Sequence, residues 1–103
     1  MKSELFAKIL SAVAQVTELE PEQILSKTKT EDLVAARSLF VHQCVIFGIP
    51  PISIAEFMNR SKTKCITRSM EAYNSYHRTS YLFREMDNKI STLVPKDAAT
   101  GPQ

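Results

Sequence analysis

The residues with the clearest chemical potential in this sequence are cations near its middle. Four of them lie within positions 60–68 with no acid among them: Arg60, Lys62, Lys64 and Arg68. Guanidinium and ammonium groups bind phosphates and can donate hydrogen bonds to guanine O6 and N7, so the cluster favours a nucleic-acid ligand. Residues 57–84 carry six Lys and Arg residues against the single acid Glu71, whereas residues 1–35 hold more acids than bases. This asymmetry is typical of a binding surface, although a solvated charged face shows it too.

A short helix is predicted on the amino-terminal side of this cluster. Pro50 and Pro51 open it, and Ser53 stands three residues before Glu56, which is the spacing of a capping box. Three residues supply its apolar side over the next turn and a half: Ile54, Phe57 and Met58. The segment 59–61, Asn-Arg-Ser, is expected to end this helix in a tight basic turn.

A second, basic helix is predicted after the turn, with Ser61 as its cap. Its buried side is indicated by residues at the spacing of a packed helical face: Cys65, Ile66, Met70 and Tyr73. The residues left to contact DNA lie at its start and on its outward side: Ser61, Lys62, Thr63, Lys64, Thr67 and Arg68. The two helices together predict a helix–turn–helix over about residues 53–76, a motif that contacts base edges with the start of its second helix.

Composition and periodicity predict one all-α domain that holds this motif in place. The chain has 103 residues, of which 44% are hydrophobic and 23% charged, and only two are glycine. A bundle of five to six helices is expected over residues 1–94, and residues 95–103 are expected to form a disordered tail. Besides the two helices above, helices are predicted at about 4–16, from about 20 for a short stretch, at 31–47 and at 80–93.

Two of these predictions depend on which residues are buried. The helix at 31–47 has apolar residues on several sides, so it is expected to lie at the centre of the domain, with Gly48 as its stop. The helix at 80–93 is expected to bury Leu82, Met86, Ile90 and Leu93. The polar residues 74–80 are expected to form a helix end and a loop.

Three further cations lie outside the basic cluster and have predicted roles. Arg37 falls at the edge of the apolar stripe of the central helix, where two interpretations are open. It is either an arginine whose stem packs while its head reaches water, or a cation that a rigid helix carries toward a phosphate or a groove. Lys27 and Lys29 lie in a polar loop and are expected to contact the DNA backbone, which adds affinity without sequence specificity.

The sequence gives little support to an enzyme. His42 is expected on the outer side of the central helix and His77 in a polar loop, and neither has a nucleophile or carboxylate at a suggestive spacing. Cys44 and Cys65 are expected to be buried, reduced thiols. No catalytic residue, metal or cofactor is therefore expected, and the tyrosines are assigned to the core rather than to a stacking platform. Without an apolar run of signal-peptide or transmembrane length, the chain is expected to be cytoplasmic and not to bind membranes.

Part of the sequence resembles a known family, the C-terminal DNA-binding domain of the bacterial replication initiator DnaA. That domain has a short helix, a basic loop, a helix with an Ala-Arg pair, a Gly and then a helix–turn–helix. The same order is found here in residues 16–25, 26–29 and 34–40, and the layout matches from about Ser3 to Met70. Residues 66–69, Ile-Thr-Arg-Ser, are similar to the Ile-Thr-Arg-Gly of the Trp repressor, whose helix–turn–helix superfamily includes that domain.

The resemblance implies roles for particular residues. The family's minor-groove arginine falls on Arg37, which favours the DNA-contact interpretation of that residue. Its Arg-Asp-His-Thr signature falls on residues 60–63, where Arg and Thr agree but Ser61 and Lys62 replace Asp and His. Because those two positions help to recognise the initiator's own DNA box, that box is not the expected target. No Gly-rich Lys-Ser/Thr loop occurs in this sequence, so neither the ATPase activity of the initiator nor a nucleotide partner is expected.

Taken together, these observations predict a double-stranded DNA-binding protein, either a small regulator or a mobile-element or replication-related protein. The expected contact residues are Lys27, Lys29, Arg37, Arg60, Ser61, Lys62, Thr63, Lys64, Thr67 and Arg68. A monomer is expected by default, and a homodimer through the first or last helix is the other possibility. The alternative function is a helical protein–protein interaction module that has kept this scaffold and no longer binds DNA.

Overall fold

A computed structural model describes residues 2–94 of the chain, with side chains described from Glu4 onward. In this part of the chain every regular element is a helix: α1 (Lys2–Thr17), α2 (Pro21–Leu25), α3 (Glu31–Ile46), α4 (Pro51–Phe57), α5 (Lys64–Thr79) and α6 (Tyr81–Leu93). The prediction of an all-α chain with five to six helices is confirmed. The tail predicted at 95–103 lies outside the described residues.

Helix α3 lies at the centre of the fold, as predicted, and each of the other helices packs against it. It contributes the largest share of the core, including the fully buried side chains of Leu39, Phe40 and Cys44. Phe40 also joins a cluster of rings between α1 and α4, in which Phe6 stacks on Phe57 with 4.4 Å between ring centroids. Burial raises the pKa of the Cys44 thiol to about 12, so this cysteine is an inert core residue.

The ends of α3 and α4 are closed by the same backbone motif. At α3, Gly48 adopts the left-handed conformation with a φ of 80°, and Ile49 N–H donates to the Cys44 carbonyl at 3.1 Å. At α4, Asn59 takes the left-handed position with a φ of 58°, and Arg60 N–H donates to the Ala55 carbonyl at 2.8 Å. Both are Schellman ends, which Gly and Asn favour because they tolerate positive φ. They set the directions in which the chain leaves each helix.

The predicted N-cap of α4 is wrong by three residues. Pro50 is the N-cap and Pro51 the first helical residue, so Ser53 lies inside the first turn and is not the cap. The physical reason is that the ring of Pro51 presets a helical φ and lacks the N–H that would be unsatisfied there.

Helix α5 also differs from the prediction at both ends. It begins at Lys64 with Thr63 as the N-cap, so Ser61 is not its cap, and it continues to Thr79 through the segment predicted as a loop. The polar residues of that segment are tolerated because they lie on the solvent side, while Tyr76 packs against the core. Ser80 alone separates α5 from α6, and its Oγ accepts a hydrogen bond from Phe83 N–H at 3.1 Å.

The predicted buried face of α6 is wrong at two of its four positions. Leu82 is 68% exposed and Leu93 is 43% exposed, whereas Phe83 and Asp87 are buried. Ile90 is buried as predicted, and Met86 is partly buried as part of the same face. The Asp87 carboxylate is stable in this face because it accepts a hydrogen bond from the Tyr73 hydroxyl. A prediction that assigns only apolar residues to the buried face cannot include such a residue.

Candidate nucleic-acid interface

An open cavity of about 420 Å³ lies between α3, the first half of α5 and two connecting segments, the α2–α3 loop and the α4–α5 connection. We call it the basic cavity. Its polar lining is Lys27, Lys29, Arg37, Arg60, Arg68 and Ser69, and its apolar lining is Val34, Met58, Cys65 and Ala72. Half of the lining residues are cations and none is an acid. The fold thus brings together five of the ten predicted contact residues from four separate segments of the chain.

Arg37 is neither a side chain with its head in water nor a cation fully exposed to a ligand, which were the two interpretations of its sequence position. Less than a tenth of its surface is exposed, so its head does not extend into water. Its Nε donates to the Ile24 carbonyl at 2.7 Å, and Nη2 lies 3.5 Å from the Gln23 carbonyl and 3.4 Å from the Ser26 hydroxyl. Arg37 therefore satisfies the Ile24 carbonyl, which the end of α2 leaves without a helical partner, and adds a further donor to the Gln23 carbonyl, which already accepts from Ser26 N–H. Burial, together with the charge of Arg60, lowers the pKa of Arg37.

Arg60 binds the same end of α2 from the α4–α5 connection. Its Nη2 donates to the Ser26 carbonyl at 2.9 Å, and its Nη1 donates to the Met58 carbonyl at 2.9 Å and the Leu25 carbonyl at 3.4 Å. One guanidinium thus links the α4–α5 connection to the α2–α3 loop. Both segments carry predicted contact residues, so Arg60 fixes the position of one part of the candidate interface relative to the other.

The other cations around the basic cavity have no acidic partner in the part of the chain that the structure describes. Lys27, Lys29 and Arg68 are exposed, and so are Lys62 and Lys64 beside the cavity. Within residues 2–94, no carboxylate oxygen lies within 4.0 Å of a nitrogen of these five side chains. Their charges are therefore available to a ligand rather than neutralised within the protein.

The start of α5 presents the remaining predicted contact residues. Ser61, Lys62 and Thr63 precede the helix and are exposed, and they do not line the basic cavity. Lys64 and Thr67 are exposed on the first turn and a half of α5, next to the cavity-lining Arg68. Cys65 is only half-buried and faces the cavity, which corrects the expectation of a buried thiol. The first exposed turn of a long helix carries free N–H groups that favour an anion.

A second polar cluster, which the sequence did not suggest, lies between α3, α5 and α6. The Tyr73 hydroxyl donates to Asp87 Oδ2 at 2.7 Å, and the ring of His42 stacks on Tyr73 with 3.6 Å between centroids. Asp87 Oδ1 lies 4.0 Å from His42 Nδ1, and neither atom has a hydrogen-bond partner among the described residues. The expectation that His42 lies on the outer side of its helix without a nearby carboxylate is wrong.

This cluster connects three helices through contacts among their side chains. Burial lowers the pKa of His42 even though Asp87 opposes the shift, so the imidazole is predominantly neutral at pH 7. Burial and the hydrogen bond to Asp87 raise the pKa of Tyr73, which keeps its proton. No sequence spacing relates these three residues, since each lies on a different helix, and only their contacts reveal the cluster.

Comparison with known proteins adds no independent assignment. The chain matches no protein-family model, no curated protein and no solved structure at a significant level. Among the described helices, none is long and apolar enough to cross a bilayer. The description of the site therefore depends on its geometry and charge.

Proposed function

We propose that this chain binds double-stranded DNA through a helix–turn–helix formed by α4, the 58–63 connection and α5. The observation that carries the proposal is the convergence of the five cavity-lining cations on one face without a carboxylate partner in the described chain. A duplex presents two closely spaced rows of phosphates, and such a face complements them.

The proposed contacts divide into two groups by position. Lys64, Thr67 and Arg68, on the exposed start of α5, are assigned to the major groove, where they can donate to guanine or contact a thymine methyl. Lys27 and Lys29, on the exposed α2–α3 loop, are assigned to phosphates. Ser61, Lys62 and Thr63, on the connection before α5, are assigned to the backbone beside the groove. These assignments follow the layout of the DnaA-like domain, with a different DNA target because of Ser61 and Lys62.

Two of the cavity-lining arginines, the buried Arg37 and the half-buried Arg60, are assigned a supporting role in this interface. Arg37 and Arg60 both donate hydrogen bonds to carbonyl groups at the end of α2, which leaves few of their N–H groups for a ligand. They position the loop that carries Lys27 and Lys29, and their charge adds to the field at the surface. A direct minor-groove contact by Arg37, which the resemblance implies, would use Nη1, which makes no hydrogen bond among the described residues.

The biological role that suits such a domain is that of a small regulator or a mobile-element or replication-related protein. We propose that it acts as a monomer, because one helix–turn–helix with its loop suffices for backbone and groove contacts.

The test is fluorescence anisotropy of a labelled random duplex across a salt series. If about five phosphates are neutralised, log Kobs falls by about 4.5 for each tenfold rise in salt. The double variant Lys64→Ala/Arg68→Ala should weaken binding and reduce that slope by about 1.8.

A charge-matched control is available elsewhere on the surface. Lys8 on α1 and Lys89 on α6 are both exposed, and neither lines the basic cavity. The variant Lys8→Ala/Lys89→Ala removes the same net charge and should leave affinity and slope within about twofold of the parent. Absence of binding at low salt, or equal losses in the two double variants, refutes the proposal and favours the protein–protein interaction module.

A further inference from the structure

The basic cavity contains a buried positive charge that has no counter-charge among the described residues. Arg37 is more than nine-tenths buried, and its partners are two backbone carbonyls and a hydroxyl. Buried charges in proteins are normally paired with an opposite charge, because desolvation of an isolated ion is costly. Here the neighbouring charge is a second guanidinium, that of Arg60, which adds repulsion. An anion in the cavity would supply the missing negative charge.

The lining of the basic cavity restricts what kind of anion fits. Its apolar part consists of Val34, Met58, Cys65 and Ala72, so a bare inorganic ion would leave this surface uncovered. At about 420 Å³ the cavity lies at the small end of the range known for ligand pockets, about 300–1,000 Å³. The rigid exterior of a duplex cannot enter a concavity of this size beyond its phosphate oxygens. The matching ligand is a small molecule or single unit with an apolar flat part and at least one strong negative charge.

We propose that the basic cavity binds a nucleotide, with its base on the apolar lining and its phosphate among the cations. A base is flat, and both the Met58 sulfur and the Arg68 guanidinium can pack favourably on its face. A phosphate dianion matches the charge of Lys27 and Lys29, and Nη1 of Arg37, which makes no hydrogen bond among the described residues, offers it a further donor. The cavity holds phosphate by side chains, so the absence of a Gly-rich phosphate loop from the sequence does not bear on it. The nucleotide is either free in solution or a terminal or unpaired unit of a strand.

This inference does not depend on duplex binding, and its test can be separated from that of the proposed function. Isothermal titration calorimetry of the full chain at low salt would compare 2′-deoxyadenosine 5′-monophosphate, deoxyadenosine and inorganic phosphate. The monophosphate should bind at least tenfold more tightly than either fragment, because only it uses both parts of the lining. Amide signals of Lys27, Cys65 and Ala72 should shift in NMR spectra on its addition.

Variants inside and outside the cavity locate the binding. Ala72→Leu fills the apolar part and should reduce affinity for the monophosphate at least tenfold, and Arg68→Gln should reduce it about fivefold. Lys8 lies on α1 and does not line the cavity, so Lys8→Gln should leave the affinity for the monophosphate unchanged. Circular dichroism at the titration temperature would establish that Ala72→Leu is folded, and Arg68→Gln, at an exposed position, provides an independent test.

The source of the nucleotide is distinguished in a further titration. A 5′-phosphorylated single-stranded tetranucleotide that binds more tightly than the monophosphate identifies a strand as the source, whereas equal or weaker binding identifies the free nucleotide. Two results overturn the inference: equal affinity for inorganic phosphate and the monophosphate, or binding unaffected by both Ala72→Leu and Arg68→Gln. Nucleotide binding without duplex binding would uphold this inference and refute the proposed function.

Discussion

Replacement of Tyr73 by Phe removes a single buried hydrogen bond and leaves the packing around it in place. The Tyr73 hydroxyl donates to Asp87 Oδ2 at 2.7 Å, while the ring stacks on His42 at 3.6 Å and meets Phe83 edge-on at 5.5 Å. A Phe ring preserves both ring contacts. The variant therefore isolates the contribution of the hydroxyl.

The expected cost follows from the surroundings of the carboxylate. Asp87 is buried, and its Oδ1 already makes no hydrogen bond in the described structure, so loss of the Tyr73 donor leaves both oxygens unsatisfied. A hydrogen bond to a charged group contributes about 1.5–3 kcal/mol, and a stranded buried acceptor lies toward the upper part of that range. We expect Tyr73→Phe to lower the free energy of unfolding by about 2 kcal/mol. At about 4–8 °C per kcal/mol for a domain near this size, Tm should fall by roughly 8–16 °C.

Urea unfolding followed by circular dichroism measures this cost, and a double-mutant cycle with Asp87→Leu isolates the pair. The coupling energy between the two positions should be at least about 1.5 kcal/mol. Movement of His42 Nδ1, now 4.0 Å from Asp87 Oδ1, could compensate for part of the loss, and NMR would then show a higher pKa for His42 in the variant. A cost below about 0.5 kcal/mol with an unchanged His42 titration refutes the reasoning, because the carboxylate would then be satisfied by water.

Four further predictions concern stability, each measured by urea unfolding. Burial lowers the pKa of His42 below its ordinary 6.5, so below that pH the unfolded chain binds more protons than the folded chain. The free energy of unfolding should therefore fall as pH drops below about 6.5, by at most about 1.4 kcal/mol per pH unit. The variant His42→Gln should show a smaller slope. Arg37→Met should cost about 1.5–3 kcal/mol, because it leaves a buried carbonyl of α2 unsatisfied. Glu18→Gly should stabilise by about 0.5–1 kcal/mol, because Glu18 adopts a φ of 61°. Phe83→Ala should cost about 3–5 kcal/mol, whereas Leu82→Ala, at a position 68% exposed, should cost less than about 0.5 kcal/mol.

Each of these has a result that contradicts it. If the dependence of stability on pH were the same in the parent and in His42→Gln, the pKa of His42 would be the same in the folded and unfolded chains. Full stability of Arg37→Met would mean that its hydrogen bonds are replaced by water. A destabilised Glu18→Gly variant would show that the side chain makes a contact worth more than the backbone strain. Equal costs at Phe83 and Leu82 would contradict the face that α6 presents to the core.

Helix existence and the central place of α3 could be predicted from the sequence, because both depend on local patterns. The 3.6-residue spacing of apolar residues, Pro at helix starts and Gly48 as a stop act over one or two turns. Helix ends were less predictable where several caps compete. Thr63 rather than Ser61 is the N-cap of α5, and Pro50 rather than Ser53 is the N-cap of α4, since small differences in local energy decide among neighbouring candidates.

The sequence alone is enough to predict an all-α chain with a local excess of positive charge in its middle. It does not indicate which cations lie together, because the packing of α2, α3 and α5 brings Lys27, Arg37 and Arg68 from separate segments to one cavity. The tertiary structure also decided that Arg37 satisfies the end of α2 and that Asp87 belongs in the core. The reason is the same in both cases. A buried polar group is stable only beside its partner, and the partner lies on another helix whose position no local pattern encodes.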